Sequence, residues 1–345
     1  MAMLFFDGFD HYTLPYLKWT RDYGGGGVAT TGGRRNGGTF NNAYSWGKVL
    51  PSNNGTIVMG AAIKPLTAEN SVILGVQGST NVLQVSLYLN GSGGISIYRA
   101  NASTWYGNGA NLLGSTRNFV LTTGVWSYVE LKIKIGDSDG FAVIHVNGVN
   151  EPTTPDLSSG QNTHGDGVSH AIGNVSIGVS PWGGAVDDLY VLDTSGTLNN
   201  DFLGDVRVDS HYPTTPAGAH SEWTRSTGAD QWATVDEPSN PNITDYNSTL
   251  TLNAIDTLNI QDLKPAGGTI KAVQTLIYHS KADAGEAFMV PVMRSGGVDY
   301  EGATVAPSAD SWIYTLTAYE QNPSGPHDWD ETDFNAIEVG YKKTG

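Results

Sequence analysis

The chain is predicted to be all-β, and three features of its 345 residues carry that prediction. Along 129–135, Val129, Leu131, Ile133 and Ile135 alternate with Glu130, Lys132 and Lys134, so apolar side chains line one face of a strand. Glycine is abundant, at 44 residues, while Asp, Glu, Lys and Arg make only 15% of the chain. That balance suits short strands and tight turns, not helices with salt-bridged faces. Turn-forming clusters of Gly, Asn, Asp, Ser and Pro also recur between the apolar runs, as in stacked antiparallel sheets. Two β-sandwich domains are expected, over 1–205 and 206–345.

The clearest element is a hairpin. Strand 129–135 leads into Gly136-Asp137-Ser138-Asp139-Gly140, a turn by its glycines and short polar residues. A second strand over 141–146 closes at Asn147-Gly148, a pair suited to a two-residue turn. Its greasy face must be buried against another sheet. Upstream, 4–10 reads as an edge strand and turn. The glycines at 24–27, 32, 33, 37 and 38 punctuate a loop-rich stretch, and no Gly-Lys-Ser/Thr comes after them to make a phosphate loop. Strands are expected over 56–64, 71–77, 83–89 and 95–99, with a turn at 90–94.

Residues 150–170, polar and carrying His164 and His170, read as a long surface loop. Strands 175–179 and 185–192 complete the first domain, and 199–204 reads as the junction. In the second, 211–250 is a Pro/Asn/Thr/Asp-rich traverse with Trp223 and Trp232. Strands are expected beyond it over 256–260, 270–279, 287–294, 312–320 and 336–341. Asp330 is placed to cap a short helical turn at 330–333, with Asp333 reaching back.

Charge and composition exclude several classes. The formal net charge is −16, with 15 acidic and 10 basic residues in 1–205 but 19 and 8 in 206–345. Such a surface repels phosphate backbones, so no nucleic-acid partner is expected. There is no cysteine, which removes disulfides, Cys-zinc sites and thiol nucleophiles and leans toward assembly in a cytoplasm. The first residues, MAMLFFDGFDHY, lack a basic region, and Asp7 breaks their apolar run, so no signal peptide is expected. No window approaches the roughly 18 apolar residues of a membrane helix, so no membrane insertion is expected.

Candidate chemistry is sparse. Glycan hydrolysis needs two carboxyl groups facing one cleft. The Glu-x-Asp-x-x-Glu run of jelly-roll glucanases is absent. Glu130 reads as a solvated outer-face residue beside Lys132. Asp187 and Asp188 are adjacent in a strand and point to opposite faces unless a bulge intervenes. No Gly-x-Ser-x-Gly elbow supplies a nucleophile, and His145 reads as a packed or sheet-surface histidine. No catalytic residue and no cofactor are assigned. Calcium is an alternative at Asp137-Ser138-Asp139-Gly140 or at His327-Asp328-Trp329-Asp330-Glu331, although a hairpin turn and a capped helix account for both. Zinc is disfavoured, because the eight histidines show no paired spacing near carboxylates.

Aromatic residues in Gly/Asn-rich contexts remain: Trp105, Tyr106 and Asn108 in one cluster, Trp46, and Trp182 before two glycines. Flat rings beside amides are how many sugar sites work, the ring stacking on the pyranose face. The same rings could plug the open ends of a sandwich or pack between protomers. Both readings stand.

Several stretches carry a resemblance. Residues 6–12 (FDGFDHY), 126–132 (WSYVELK) through 146–148 (VNG), and 186–193 (VDDLYVLD) are similar to the concanavalin A-like/LamG-like jelly-roll proteins of tailed bacteriophages. Residues 200–208, Trp223-Thr224, 294–300 and 329–342 resemble the region C-terminal to that jelly roll in the same virion proteins. The resemblance spans nearly the whole chain. It implies a non-enzymatic virion structural protein on the particle exterior, most often at the tail or a fibre-like appendage and sometimes on the head. With that role go partners among other tail or capsid subunits and, as is the default for virion parts, many copies as a homo-oligomer; the function expected here is host attachment through a lectin-like surface. A capsid decoration or cement protein that binds no glycan is the alternative, and a glycan depolymerase a second. The resemblance carries over no catalytic residue and fixes no sugar site.

Overall fold

The computed structural model describes every residue except 1, 23–26, 36, 42–44, 68–70, 80–81, 101–110, 166–169, 181–182, 264–267 and 326. The predicted hairpin forms in register, Ser127–Lys134 against Phe141–Val146, with pairs from Val129↔Val146 to Lys134↔Phe141. Asn147 and Gly148, with φ of 52° and 75°, are the left-handed pair of a tight turn that leads the second strand into Val149–Asn150, pairing Val146 with Val149. The chain divides into two units, Met1–Asp209 and Ser210–Gly345.

The first unit is a sandwich of two antiparallel sheets. An eight-stranded sheet runs Val149–Asn150, Phe141–Val146, Ser127–Lys134, Thr56–Pro65, Gly184–Asp193, Thr39–Asn41, Gly27–Ala29, with Met3–Asp7 also paired to Gly184–Asp193. A seven-stranded sheet runs Asn111–Ser115, Ile95–Arg99, Leu83–Leu89, Ser71–Gln77, Ile172–Ser180, Ser45–Asn54, Arg21–Asp22. Ile57, Met59 and Ile63, Val129, Leu131 and Ile133, and Leu74, Val85, Leu87 and Ile97 are fully buried. These alternating positions make the core between two inner faces.

The outer face of the eight-stranded sheet is not left to solvent. Glu130, expected to be solvated, is fully buried. The stretch that reads as a domain junction lies across it as a strap: Gly204 N donates to Glu130 Oε1 at 2.8 Å, and Leu203 N to the Tyr190 hydroxyl at 3.2 Å. Phe202 stacks on His145 with centroids 3.8 Å apart, and Lys132 pairs with Asp201 at 3.1 Å. The first unit therefore extends to Asp209, because 199–208 serves its outer face.

The second unit is built on a five-stranded antiparallel sheet, Pro213–Ser221, Ile255–Ile260, Glu338–Lys343, Met289–Ser295, Val298–Glu301. The last two strands form a hairpin through Gly296 and Gly297, both at positive φ. Two ribbons accompany it, Thr224–Arg225 with Asn247–Ser248 and Val273–His279 with Ile313–Tyr319. Val273, Met293, Trp329, Phe334 and Ile337 form its core cluster. The short helix falls at Glu331–Asn335; Asp330 caps it by accepting from Asp333 N at 2.8 Å. Asp333 does not reach back to the cap but binds His327 Nε2 at 2.8 Å.

Candidate functional site

The ring residues expected to form a sugar site divide into two groups. Trp105, Tyr106, Asn108 and Trp182 lie outside the described residues. Trp46 is not in a loop: it sits in Ser45–Asn54, paired with Ile177 and Asp22, and is only 5% exposed. A ring at that position packs the sandwich and presents no face to a ligand.

The acidic candidates are also drawn into the fold. The strand Gly184–Asp193 does carry a bulge: its register against Thr56–Pro65 shifts between Asp187 and Tyr190, and Asp188 has φ 51°. Both carboxyls are thereby buried. Asp187 accepts from Arg34 N at 2.7 Å and from Asp188 N at 2.8 Å; Asp188 accepts from Val208 N at 2.8 Å. The Arg34 guanidinium pairs with Asp188 at 3.5 Å and with Asp205. Nearby Asp10 accepts from Gly38 N at 2.6 Å. Burial, with the neighbouring carboxylates adding to it, pushes Asp10 up to about 7 and Asp187 up to about 8. Asp187 and Asp188 fasten Arg34 and the 205–208 strap to one strand, and Asp10 holds Gly38 beside them. Asp7 behaves oppositely. Burial alone would raise it, but Lys18 at 3.1 Å, His11, and hydrogen bonds from Tyr12 and Phe9 outweigh that and leave it below the ordinary value.

Among the described residues, a row of neighbouring rings is presented on the second unit. In the ribbon Val273–His279/Ile313–Tyr319, Tyr278 is directly opposite Tyr314, and Leu276 opposite Leu316. Val273, Thr275 and His279 point the other way and are buried, so alternation leaves Leu276, Tyr278, Tyr314 and Leu316 on the half-buried outer face. Trp312 stacks on Tyr278, centroids 5.4 Å apart and planes at 27°. Tyr314 lies 4.9 Å from Tyr278, and Tyr246, 40% exposed, lies 6.4 Å from Trp312. Four rings thus form one row, with phenol and indole polar atoms along it. Linear pattern offers little notice of it: 273–279 lacks clean alternation, and Tyr246 joins from a traverse about thirty residues upstream.

No protein-family model and no curated relative matches the chain. Among solved structures, it is similar to a Trypanosoma rangeli sialidase in complex with sialic acid, at 16% identity and TM-score 0.33, over 48% of this chain and 27% of that one. It is similar to the metal-free Emp46p carbohydrate recognition domain at 11% identity and TM-score 0.31, over 55% and 98%. Carbohydrate-binding module CBM66 from Bacillus subtilis gives 7% identity and TM-score 0.31, over 49% and 92%. The chain spans between 15% and 27% of the sialidases' length. At such scores the likeness carries no argument about any residue here.

Proposed function

We propose that the chain is a non-enzymatic structural protein of a tailed-bacteriophage virion, borne in many copies on the exterior of the tail or a tail fibre, where it attaches the particle to a host-surface glycan. The resemblance over both units supports the virion part of this reading. The observation that carries the glycan part is the ring row Tyr246–Trp312–Tyr278–Tyr314 on the second unit. Partly exposed rings stack on the apolar face of a pyranose, and phenol hydroxyls are a chemistry that bonds sugar hydroxyls. Trp105, Tyr106, Asn108 and Trp182 remain proposed as glycan-binding residues of the first unit.

A decoration or cement role is the second reading. It is favoured by Ile243, Leu250 and Leu252, which are 54%, 97% and 58% exposed on the second unit, since exposed apolar side chains close in sequence suit contact with another subunit. Adsorption of phage to host cells in the presence of the purified chain separates the two. Attachment predicts that the wild-type chain blocks adsorption and that Trp312→Ala does not. Equal failure of both chains, with immunogold labelling confined to the head, supports the cement role instead.

A further inference from the structure

The hairpin turn at 136–140 and the segment at 161–165 are stitched together by backbone and threonine bonds. Gly136 N donates to Thr163 Oγ1 at 3.0 Å, Thr163 N to Gly136 O at 2.9 Å, and Thr163 Oγ1 to Lys134 O at 2.6 Å. Gly140 and Gln161 exchange both backbone bonds, at 3.0 and 2.8 Å. On the other side of residue 164, Gly165 N donates at 2.7 Å to Gln84 Oε1, a fully buried amide of the seven-stranded sheet. Residue 164 is therefore held on both flanks, between a turn of one sheet and a strand of the other.

That anchoring sets the His164 ring against Asp137, Nδ1 2.9 Å from Oδ1. His170, two residues before the strand Ile172–Ser180, places Nε2 3.0 Å from the second oxygen of the same carboxylate. The two rings stack with centroids 4.1 Å apart. All three donor atoms lie within 4.8 Å of one another. We propose that Asp137, His164 and His170 form a binding site for one borderline divalent cation of the Zn2+ class, at the rim where the two sheets meet.

The donor set selects the metal. Two imidazole nitrogens and one carboxylate oxygen suit Zn2+ and its transition-metal neighbours, whereas Ca2+ takes oxygen ligands and Mg2+ keeps water. Tetrahedral bonds of about 2.0–2.1 Å put neighbouring ligand atoms about 3.3 Å apart. The two His–Asp separations, 2.9 and 3.0 Å to the two oxygens of the carboxylate, lie within a few tenths of an ångström of that value, while the three donors together span up to 4.8 Å and draw together around an ion. A metal uses a lone pair from each ring and leaves one tetrahedral position for water or an outside group. The spacing of 27 and 33 residues between the acid and the histidines hides the set from any linear motif. A bound ion ties the hairpin turn of one sheet to the segment leading into a strand of the other, so it stabilises the first unit by mass action.

The full chain, stripped with chelator and dialysed, is titrated calorimetrically with ZnCl2 and, separately, CaCl2. The expected result is one Zn2+ per chain, a raised melting temperature, no comparable Ca2+ binding, and affinity weakened by more than about tenfold in His170→Ala and Asp137→Asn. These side chains are 53% and 64% exposed, so the variants keep the fold, which far-ultraviolet circular dichroism checks. Binding unchanged by both substitutions, Ca2+ held as tightly as Zn2+, or no Zn2+ uptake at millimolar concentration overturns it. On the unsubstituted chain, Co2+ is expected to give tetrahedral visible absorption that one equivalent of Zn2+ abolishes. A purely octahedral spectrum overturns the proposal without recourse to any variant.

Discussion

Gly60 lies between Glu130 and Tyr190 in the register of the eight-stranded sheet, and any side chain there would run into the Tyr190 and Tyr128 rings. Those rings are stacked side by side, 6.4 Å apart, over the glycine. The Tyr128 hydroxyl donates to Asp188 O at 2.8 Å, and the Tyr190 hydroxyl donates to Glu130. Burial, then the adjacent carboxylate, holds Tyr190 far above its ordinary pKa, so it stays a donor. Gly60→Ala is expected to destabilise the first unit by about 1–3 kcal/mol through overpacking, measured by denaturant titration. An unchanged midpoint would mean that the two rings give way freely. Glycine at 60 is legible as part of a buried strand, but its reason is not: only the register shows which rings cross it.

At the scale of elements, the strap 199–208 is the feature that alternation does not reveal. Period-two spacing places Glu130 on the outer face, as the structure does, but the inference that an outer face is wet fails. It is dry because a later segment covers it, and coverage by a non-local stretch leaves no trace in the strand's own residues. The hairpin, by contrast, is legible to its register, because alternation and the Gly136–Gly140 turn are local signals with one physical solution. The bulge at Asp187–Asp188 lies between these cases: adjacency shows that a bulge is needed to bring the pair together, and only the structure shows one. Glu130→Ala removes an acceptor from the Tyr190 hydroxyl and from Gly204 N, a cost of about 1–3 kcal/mol. Hydrogen exchange should then quicken at the Leu203, Gly204 and Val208 amides while the hairpin amides stay protected. Uniform acceleration through the unit would instead mean global destabilisation with no separate strap.

For the whole molecule, the two kinds of buried acid set opposite pH limits on the first unit. Asp10 and Asp187 have raised folded values, about 7 and about 8, so their contribution to stability is full below the ordinary aspartate range and is lost as pH rises through those values. Asp7 is depressed, so its contribution holds above the ordinary range and is lost as pH falls through its lower folded value. The unit should therefore melt higher at pH 5 than at pH 8.5, and Asp187→Asn should flatten that slope, as followed by thermal unfolding across the range. A melting temperature rising toward pH 8.5 would show these acids ionised in the fold. The all-β class is legible from composition and alternation, since both reflect how strands bury one face. The ring row is not, because ribbon pairing sets Tyr278 beside Tyr314 and Trp312, and Tyr246 joins them from 66 positions before Trp312.

The glycan-attachment reading rests on that row, and the most direct measurement is a titration of the full chain with host-surface polysaccharide, followed by tryptophan fluorescence and calorimetry. Saturable binding is expected, weakened about tenfold by Trp312→Ala and by Tyr278→Ala alike, as losing roughly 1–1.5 kcal/mol of ring contact implies. Binding indifferent to both substitutions, or no binding to the polysaccharide of a host whose cells the particle adsorbs to, would contradict it.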